Sequence, residues 1–353
     1  MRRTAKNKST SSSVDLMALA DIVERFAGKH VVVLGDFVAD AFQFGAITRV
    51  SREAPVLILK HRETQILPGG GANAANNCAA LGAKVSPVTA IGNDAAGDHL
   101  LAAFREKKID VSGIVRVNGW TTPTKTRFLA GWAHTVGHQV LRVDYEPNQS
   151  LGEATRKQLT QMLAKKIRGA DALAVSDYGF GVATPEDVRA ATSRIKRDIP
   201  VTLDSRYQLN SYKNSGVTSA TPNEGEMEAL HHTSIGNNLK ELERCGQATR
   251  EELKLKSLLV TRGRDGMALF QPGRKPLHIP AHGSAQAVDV TGAGDTVLAV
   301  YTLGLACGAS PLEAAHIANI AGSLVVMKRG TATVSREELL EAIRQSAVTG
   351  SAS

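Results

Sequence analysis

Apolar residues recur along this chain with two periods. Leu16, Leu19, Ile22, Val23 and Phe26 fall at helical spacing, with Ser13 placed to cap that helix and Gly28 to stop it. Val85–Ile91, Pro200–Leu203 and Ser257–Val260 read as strands, and Val31–Leu34 and Ala172–Ser176 are short, almost wholly apolar runs. Such runs predict strands buried on both faces, as in a parallel sheet. Between and after them, 72–81, a stretch ending near Lys107, 293–306, 314–327 and 337–343 read as helices. Two regions break the alternation. The segments 42–60 and 121–145 have strand character without an intervening helix, so they are expected to lie off the main sheet as a small β lid. The whole predicts an α/β sandwich carrying that lid.

Composition narrows the picture. The chain has 353 residues, 42% hydrophobic and 22% charged, an ordinary composition for a soluble domain with one large core. Residues 1–13 are polar and basic without the apolar run of a leader, and are expected to be a disordered tail; 14–346 form the folded domain and 347–353 a second tail. No apolar run approaches the roughly 18 residues of a membrane helix. Cys78, Cys245 and Cys307 lie far apart, as reduced thiols of a cytoplasmic chain do. The net charge of +8, from 42 basic and 34 acidic residues, calls for an anionic partner. No basic stripe is interleaved with aromatics, so a phosphorylated small molecule is favoured over nucleic acid. His134 and His138 stand four apart in a glycine-flanked turn; without a third ligand no metal site is expected there.

The stretch Asp289-Val290-Thr291-Gly292-Ala293-Gly294-Asp295-Thr296 opens a helix with two glycines. First-turn amides lack intrahelical partners and the helix dipole is positive there, so an anion fits. Asp295 puts a carboxylate where that anion should sit. It is either a helix-end charge or a general base beside a phosphoryl-binding turn. A phosphoryl group on Gly292–Gly294 and a hydroxyl on Asp295 would make phosphoryl transfer to an alcohol. No G-x-x-x-x-G-K-[ST] loop exists to do that work instead. Asp36 follows the first buried strand, at the edge where open α/β sheets bind ligands, with Asp40 nearby. Gly69-x-Gly71-x-x-Ala74 formally fits a relaxed dinucleotide fingerprint, but it does not follow the first buried strand. Asn223-x-x-Glu226 is either a helix capping box or a carboxylate that holds the water shell of Mg²⁺.

The octet resembles the signature of the pfkB (ribokinase-like) sugar kinases. Pro68–Asn77, Ile91-Gly92-x-Asp94, Asn223-x-x-Glu226, Thr261–Gly266 and Lys328-Arg329-Gly330-Thr331 resemble other motifs of that family, in family order over roughly residues 30–346. The resemblance implies a three-layer α/β/α sandwich with a mostly parallel central sheet, and an ATP-dependent kinase. It implies that Asp295 acts on the acceptor hydroxyl and that Gly292, Ala293 and Gly294 bind the transferred phosphoryl group. Asp36, Asp40, Gly69, Gly70 and Asn73 would bind the sugar, Asp36 and Asn73 through its hydroxyls. Asn223, Thr261, Gly263, Gly266 and Asn319 would lie on the nucleotide side. Glu226, Asp289 and Thr291 would form the metal set, for Mg²⁺ and optionally K⁺. A homodimer through the lid strands is also implied. Thr48-Arg49-Val50-Ser51-Arg52-Glu53-Ala54-Pro55-Val56 is similar, more narrowly, to bacterial heptose-7-phosphate kinases. In these, residues such as Lys125, Arg127 and Arg142 would grip the substrate phosphate. Two positions depart from that pattern: Phe180 stands where lysine is usual, and Asp204-Ser205-Arg206 replaces Asp-Pro-Lys or Asp-Pro-Asn. Arg206 is either a phosphate contact or a surface residue. Bifunctional relatives carry a following nucleotidyltransferase domain; at this length none is expected here, which puts that activity on another protein.

Overall fold

The computed structural model describes residues 14–131, 138–195, 197–283 and 287–350. From the N-terminus, α1 (Leu16–Glu24) leads into β1 (His30–Gly35), then the long pair β2 (Phe37–Val50) and β3 (Leu57–Gly70). There follow α2 (Gly71–Ala80), β4 (Lys84–Gly92), α3 (Ala95–Glu106), β5 (Ile114–Val117) and a second pair, β6 (Thr124–Gly131) and β7 (His138–Tyr145). The alternation continues with α4 (Glu153–Lys166), β8 (Ala172–Asp177), α5 (Pro185–Thr192), β9 (Val201–Ser205), β10 (Ser219–Ala220), α6 (Glu224–His231), α7 (Leu239–Glu252) and β11 (Ser257–Thr261). Last come β12 (Met267–Phe270), β13 (Leu277–Ile279), α8 (Ala293–Ala306), α9 (Pro311–Val325) and α10 (Arg336–Gly350).

Nine strands form the central sheet in the order β13-β12-β11-β10-β9-β8-β1-β4-β5. From β11 through β5 every neighbouring pair is parallel; only β12 is reversed, pairing antiparallel with both β11 and β13. The unbroken apolar run of β1 is explained by helices on both faces. Val31 and Val33 pack into a core with α1, α2, α8 and α9, whereas Val32 and Leu34 pack into one with α4, α5 and α7. Each such buried side chain contributes about 1.5–3 kcal/mol. The architecture is the expected three-layer α/β/α sandwich.

The lid is a separate four-stranded sheet, β3-β2-β6-β7. β2 starts fully buried and ends exposed, so the lid grows directly out of the core. It pairs antiparallel with β3 and parallel with β6. Sequential order places β4 and β5 on one side of β1 and β8–β11 on the other. The strand order therefore switches between β1 and β8, which is where ligands bind in open sheets. The two chain segments leaving these carboxyl ends, 35–40 and 177–182, face that crevice.

Some boundaries differ from expectation. Asp15 caps α1, its side chain accepting from Met17 N, because its carboxylate is one residue from the helix start. Ser13, and the expected 1–13 tail, lie outside the described residues, as does His134. α10 continues to Gly350, beyond the expected boundary at 346. All three cysteines are free and buried. Among the described residues no helix is long and apolar enough to cross a membrane.

Candidate active site

Three neighbouring cavities lie over the crevice. A central one of about 310 Å³ is lined by Asp40, Lys125, Arg127, Gly292 and Asp295, and also by Asp204 and Glu226. Outward from it, a cavity of about 450 Å³ shares Lys125, Tyr178 and Arg206 with the first and adds Arg142 and Phe180. On the other side, a more apolar cleft of about 200 Å³ is lined by Met267, Val290, Val297 and Val326, with Thr261, Gly263, Gly266 and Asn319 at its rim. Gly294 lines both this cleft and the central cavity, so one glycine turn joins them.

α8 starts at that turn. Gly292 is its N-cap with φ +78°, and a Cβ there would lie 2.4 Å from Asn73 Nδ2. Only glycine tolerates both the dihedral and the contact. Asp295, in the first helical turn, is buried. Both of its oxygens are held: Asn73 Nδ2 donates to Oδ2 at 3.1 Å, and the Tyr178 hydroxyl donates to Oδ1 at 2.9 Å. Burial pushes its pKa up to about 7, and the two donors pull against that shift. A carboxylate poised near neutrality beside amide donors can accept a proton from an alcohol. Of the three turn residues, Gly292 and Gly294 line the central cavity, whereas Ala293 does not and its N–H goes to Val290 O at 3.3 Å.

Two expected sugar contacts have other duties. Asp36 does not reach the cavity. Its Oδ2 accepts from Tyr178 N and Phe180 N, and its Oδ1 from Val182 N, at 2.8–3.0 Å. It is fully buried and clamps the loop after β8, so its lone pairs are spent on backbone. Asn73 is likewise fully buried. Its Nδ2 donates to Gly292 O and Asp295, and its Oδ1 accepts from Asn77 Nδ2, so it positions the carboxylate and has no free group for a hydroxyl. Of Asp36 and Asp40, Asp40 is the one that lines the cavity, paired with Arg127 Nη1 at 2.5 Å. A Cβ on Gly69 would fall 2.1 Å from Asp40 Oδ2, so that glycine makes room for the aspartate; Gly70 lines the cavity itself.

The cations divide. Lys125 lines both the central and the outer cavity and lies 4.6 Å over the Tyr178 ring. Burial, then the neighbouring Arg206, lowers its pKa. Arg127 lines only the central cavity, and Arg142 only the outer one, where it holds Asp144 through Nε and Nη2 at 2.7 and 2.5 Å.

At the far wall of the central cavity, Asn223 and Glu226 form a capping box on α6. Glu226 Oε2 accepts from Asn223 N at 2.9 Å, and Glu226 also lines the cavity, so its part in the capping box does not take it away from a ligand there. Burial raises the Glu226 pKa to about 7. Asp204 is raised well above its usual range, first by burial and then by Glu226 and Asp295. Glu226 and Asp204 share one side of this cavity without a salt-bridge partner of their own among the described residues, and a cation bound between them would favour their charged forms. Among the described residues no three His, Cys, Asp or Glu side chains cluster closely enough to chelate an ion directly. Thr291 lines this cavity. Asp289 does not; its oxygens accept from Thr291 N and Gly330 N at 2.9 Å and brace the octet against the 330 turn. Asn319 donates to Pro280 O at 2.7 Å and so fixes a wall of the apolar cleft.

Tyr178 and Asp204 did not stand out as site residues in the sequence. The rule that singled out Asp36, proximity to the end of a buried strand, applies equally to both: Tyr178 follows β8 and Asp204 lies at the end of β9.

The family model described as pfkB family carbohydrate kinase matches residues 29–338. A bifunctional protein HldE of Caulobacter sp. (strain K31) is 41% identical over 326 residues, 91% of this chain and 64% of that protein. The bifunctional protein HldE of Trichlorobacter lovleyi is 35% identical over 331 residues, 94% of this chain and 66% of that protein. The chain thus spans just under two thirds of the length of these relatives. Among solved structures, Arabidopsis thaliana ribokinase complexed with ribose and ATP superposes with a TM-score of 0.68 at 22% identity, over 90% of this chain and 99% of that chain. Phosphofructokinase-2 from Escherichia coli in complex with potassium gives 0.72 at 20% identity, over 91% and 99%. These two likenesses concern the fold.

Proposed function

The chain belongs to the pfkB family of carbohydrate kinases, and on that premise we propose that it phosphorylates D-glycero-D-manno-heptose 7-phosphate at the anomeric hydroxyl, using ATP, to give the 1,7-bisphosphate for ADP-heptose and lipopolysaccharide precursor synthesis. The observation that carries this reading is the cavity lined by Lys125, Arg142 and Arg206, continuous through Tyr178 with the cavity that holds Asp295. A sugar with a hydroxyl at one end and a phosphate at the other matches that spacing of one base and several cations.

In this reading the apolar cleft takes the adenine and the glycine turn takes the terminal phosphates. Bound ATP supplies the phosphoryl group and Mg²⁺ offsets its charge. Asp40 accepts hydrogen bonds from sugar hydroxyls, held in place by Arg127. Asp295 takes the proton of the acceptor hydroxyl. Gly292 and Gly294 amides and the α8 dipole favour charge on the transferred group. Glu226, with Asp204 beside it, would hold the hydrated Mg²⁺ at this end of the cavity. A monovalent ion between the octet and the 330 turn belongs to the same reading; Thr331 Oγ1 is buried there without a partner among the described residues. The lid excludes water and so limits loss of ATP to hydrolysis. Exposed apolar residues on the lid, among them Val56, Leu57, Leu141 and Tyr145, support a homodimer through it.

Phe180 supports one second reading. It lines the cationic cavity where heptose kinases usually carry lysine, so a different sugar phosphate is the runner-up. ATP-coupled assays over heptose 7-phosphate, other sugar phosphates and unphosphorylated sugars separate the two. Turnover of heptose 7-phosphate with the highest kcat/KM is expected. No turnover of it, with turnover of another sugar phosphate, refutes the narrow assignment.

A further inference from the structure

Asp295 meets the rest of the molecule through a relay that nothing in its own sequence motif announces. Asp36 at the end of β1 holds the backbone N–H groups of Tyr178, Phe180 and Val182. That clamp fixes the Tyr178 main chain, and Gly70, whose Cβ would come 3.2 Å from Tyr178 Cε2, leaves room for the ring. The Lys125 ammonium covers the ring at 4.6 Å. The Tyr178 hydroxyl then reaches Asp295 Oδ1 at 2.9 Å, opposite Asn73 Nδ2 on Oδ2. The same ring lines both the central and the cationic cavity.

We propose that Tyr178 is a positioning residue for phosphoryl transfer: its hydroxyl aims the Asp295 carboxylate and keeps it ionised, while its ring forms the wall along which an acceptor passes from the cationic cavity to the base. This rests on Asp295 being the base. A hydrogen bond donated to an ionised carboxylate favours the charged form, so Tyr178 opposes the desolvation that drives Asp295 toward neutrality. Other charged groups act on the same carboxylate. Asp40 from β2 opposes ionisation and Lys125 from β6 favours it. Asp204 at the end of β9 repels it, and Glu226, Arg127 and Arg206 line the same cavity. None of these touches Oδ1; Tyr178 is the donor there.

The test is the pH dependence of kcat for the full chain with ATP, Mg²⁺ and its best sugar phosphate. Tyr178→Phe keeps the ring and removes the donor. The acid limb is expected to move up by about one pH unit, so that kcat falls about tenfold below the limb and recovers toward wild type at high pH. An unmoved limb overturns the proposal, as does a loss that is uniform across pH. Incorporating 3-fluorotyrosine at 178 keeps the shape and strengthens the donor, so the limb should move down; an upward shift or none also overturns it. Asp295→Asn is run in parallel. If it abolishes turnover and the Tyr178 limb does not move, the base stands and the relay is wrong; if it turns over normally, the base reading fails and takes the relay with it.

Discussion

Removing Arg127 should cost more stability than removing any surface cation. Arg127 Nη1 meets Asp40 Oδ1 at 2.5 Å, with the two side chains only 12% and 5% exposed. At roughly 4 Å between charge centres and an effective dielectric near 20, the attraction is about 4 kcal/mol. Desolvation has already been incurred for both groups, so losing one partner leaves the other buried and uncompensated, which typically costs about 3–5 kcal/mol. Lys125 lies close enough to interact with Asp40 and offsets part of that. Arg127→Met keeps most of the aliphatic volume, though it gives up the guanidinium over the Phe42 ring at 5.3 Å, a contact worth about 0.5–1 kcal/mol. We expect a net loss of about 3 kcal/mol, read as a lower urea midpoint at constant slope by circular dichroism. The double variant Asp40→Asn with Arg127→Met removes both charges and should recover well over half of that loss. The reasoning is refuted if Arg127→Met costs less than about 1 kcal/mol, or if the two single losses simply add.

Gly292→Ala must place alanine at φ +78° and a Cβ 2.4 Å from Asn73 Nδ2; it should lose about 1–2 kcal/mol to strain and at least tenfold in kcat as Asn73 and Asp295 shift. Gly28→Ala carries a similar φ of +77° with nothing within 4 Å, so denaturation should show the strain and steady-state kinetics no change. Asp36→Ala orphans three backbone N–H groups and should cost about 2–4 kcal/mol, with faster proteolytic cleavage in the 177–182 loop. Replacing Arg142 or Arg206 with Gln should raise KM for a phosphorylated acceptor more than for the same sugar without phosphate; equal effects on both would count against the cationic cavity as the phosphate site.

The fold was largely legible because its strands announce themselves. Val31–Leu34 and Ala172–Val175 are apolar on every residue, and only a doubly covered parallel strand needs that. β10 and β13 were not read, since two- and three-residue strands carry no period, and neither were the short β5 or the helices α4, α5 and α7, whose outer faces are mostly polar. The lid was recognisable as strand without helix, but its joining to the core was not: β2 begins at Phe37, immediately after Asp36. That adjacency explains the misplaced aspartate. Asp36 and Asp40 are equivalent as letters near a strand end; what separates them is a loop more than 140 residues away whose amides consume Asp36. Asn73 is a similar case, its amide spent on Gly292 and Asp295, more than 200 residues distant. Glu226 shows the opposite lesson, since one carboxylate closes the capping box and still faces the cavity.

The central claim concerns Asp295. Its pKa, raised by burial to about 7 in the folded chain, exceeds that of an exposed carboxylate, so stability is lost as pH rises from about 4 to about 7, the loss is complete above pH 7, and it is regained as pH falls back through that window. Asp295→Asn removes that burden and should melt no lower than wild type, while the base is lost. The decisive measurement is transfer of labelled γ-phosphoryl from ATP to the best sugar phosphate by this stable variant at saturating substrates. A fall of about 10²–10⁴ in kcat with KM little changed is the predicted result; undiminished transfer would contradict it.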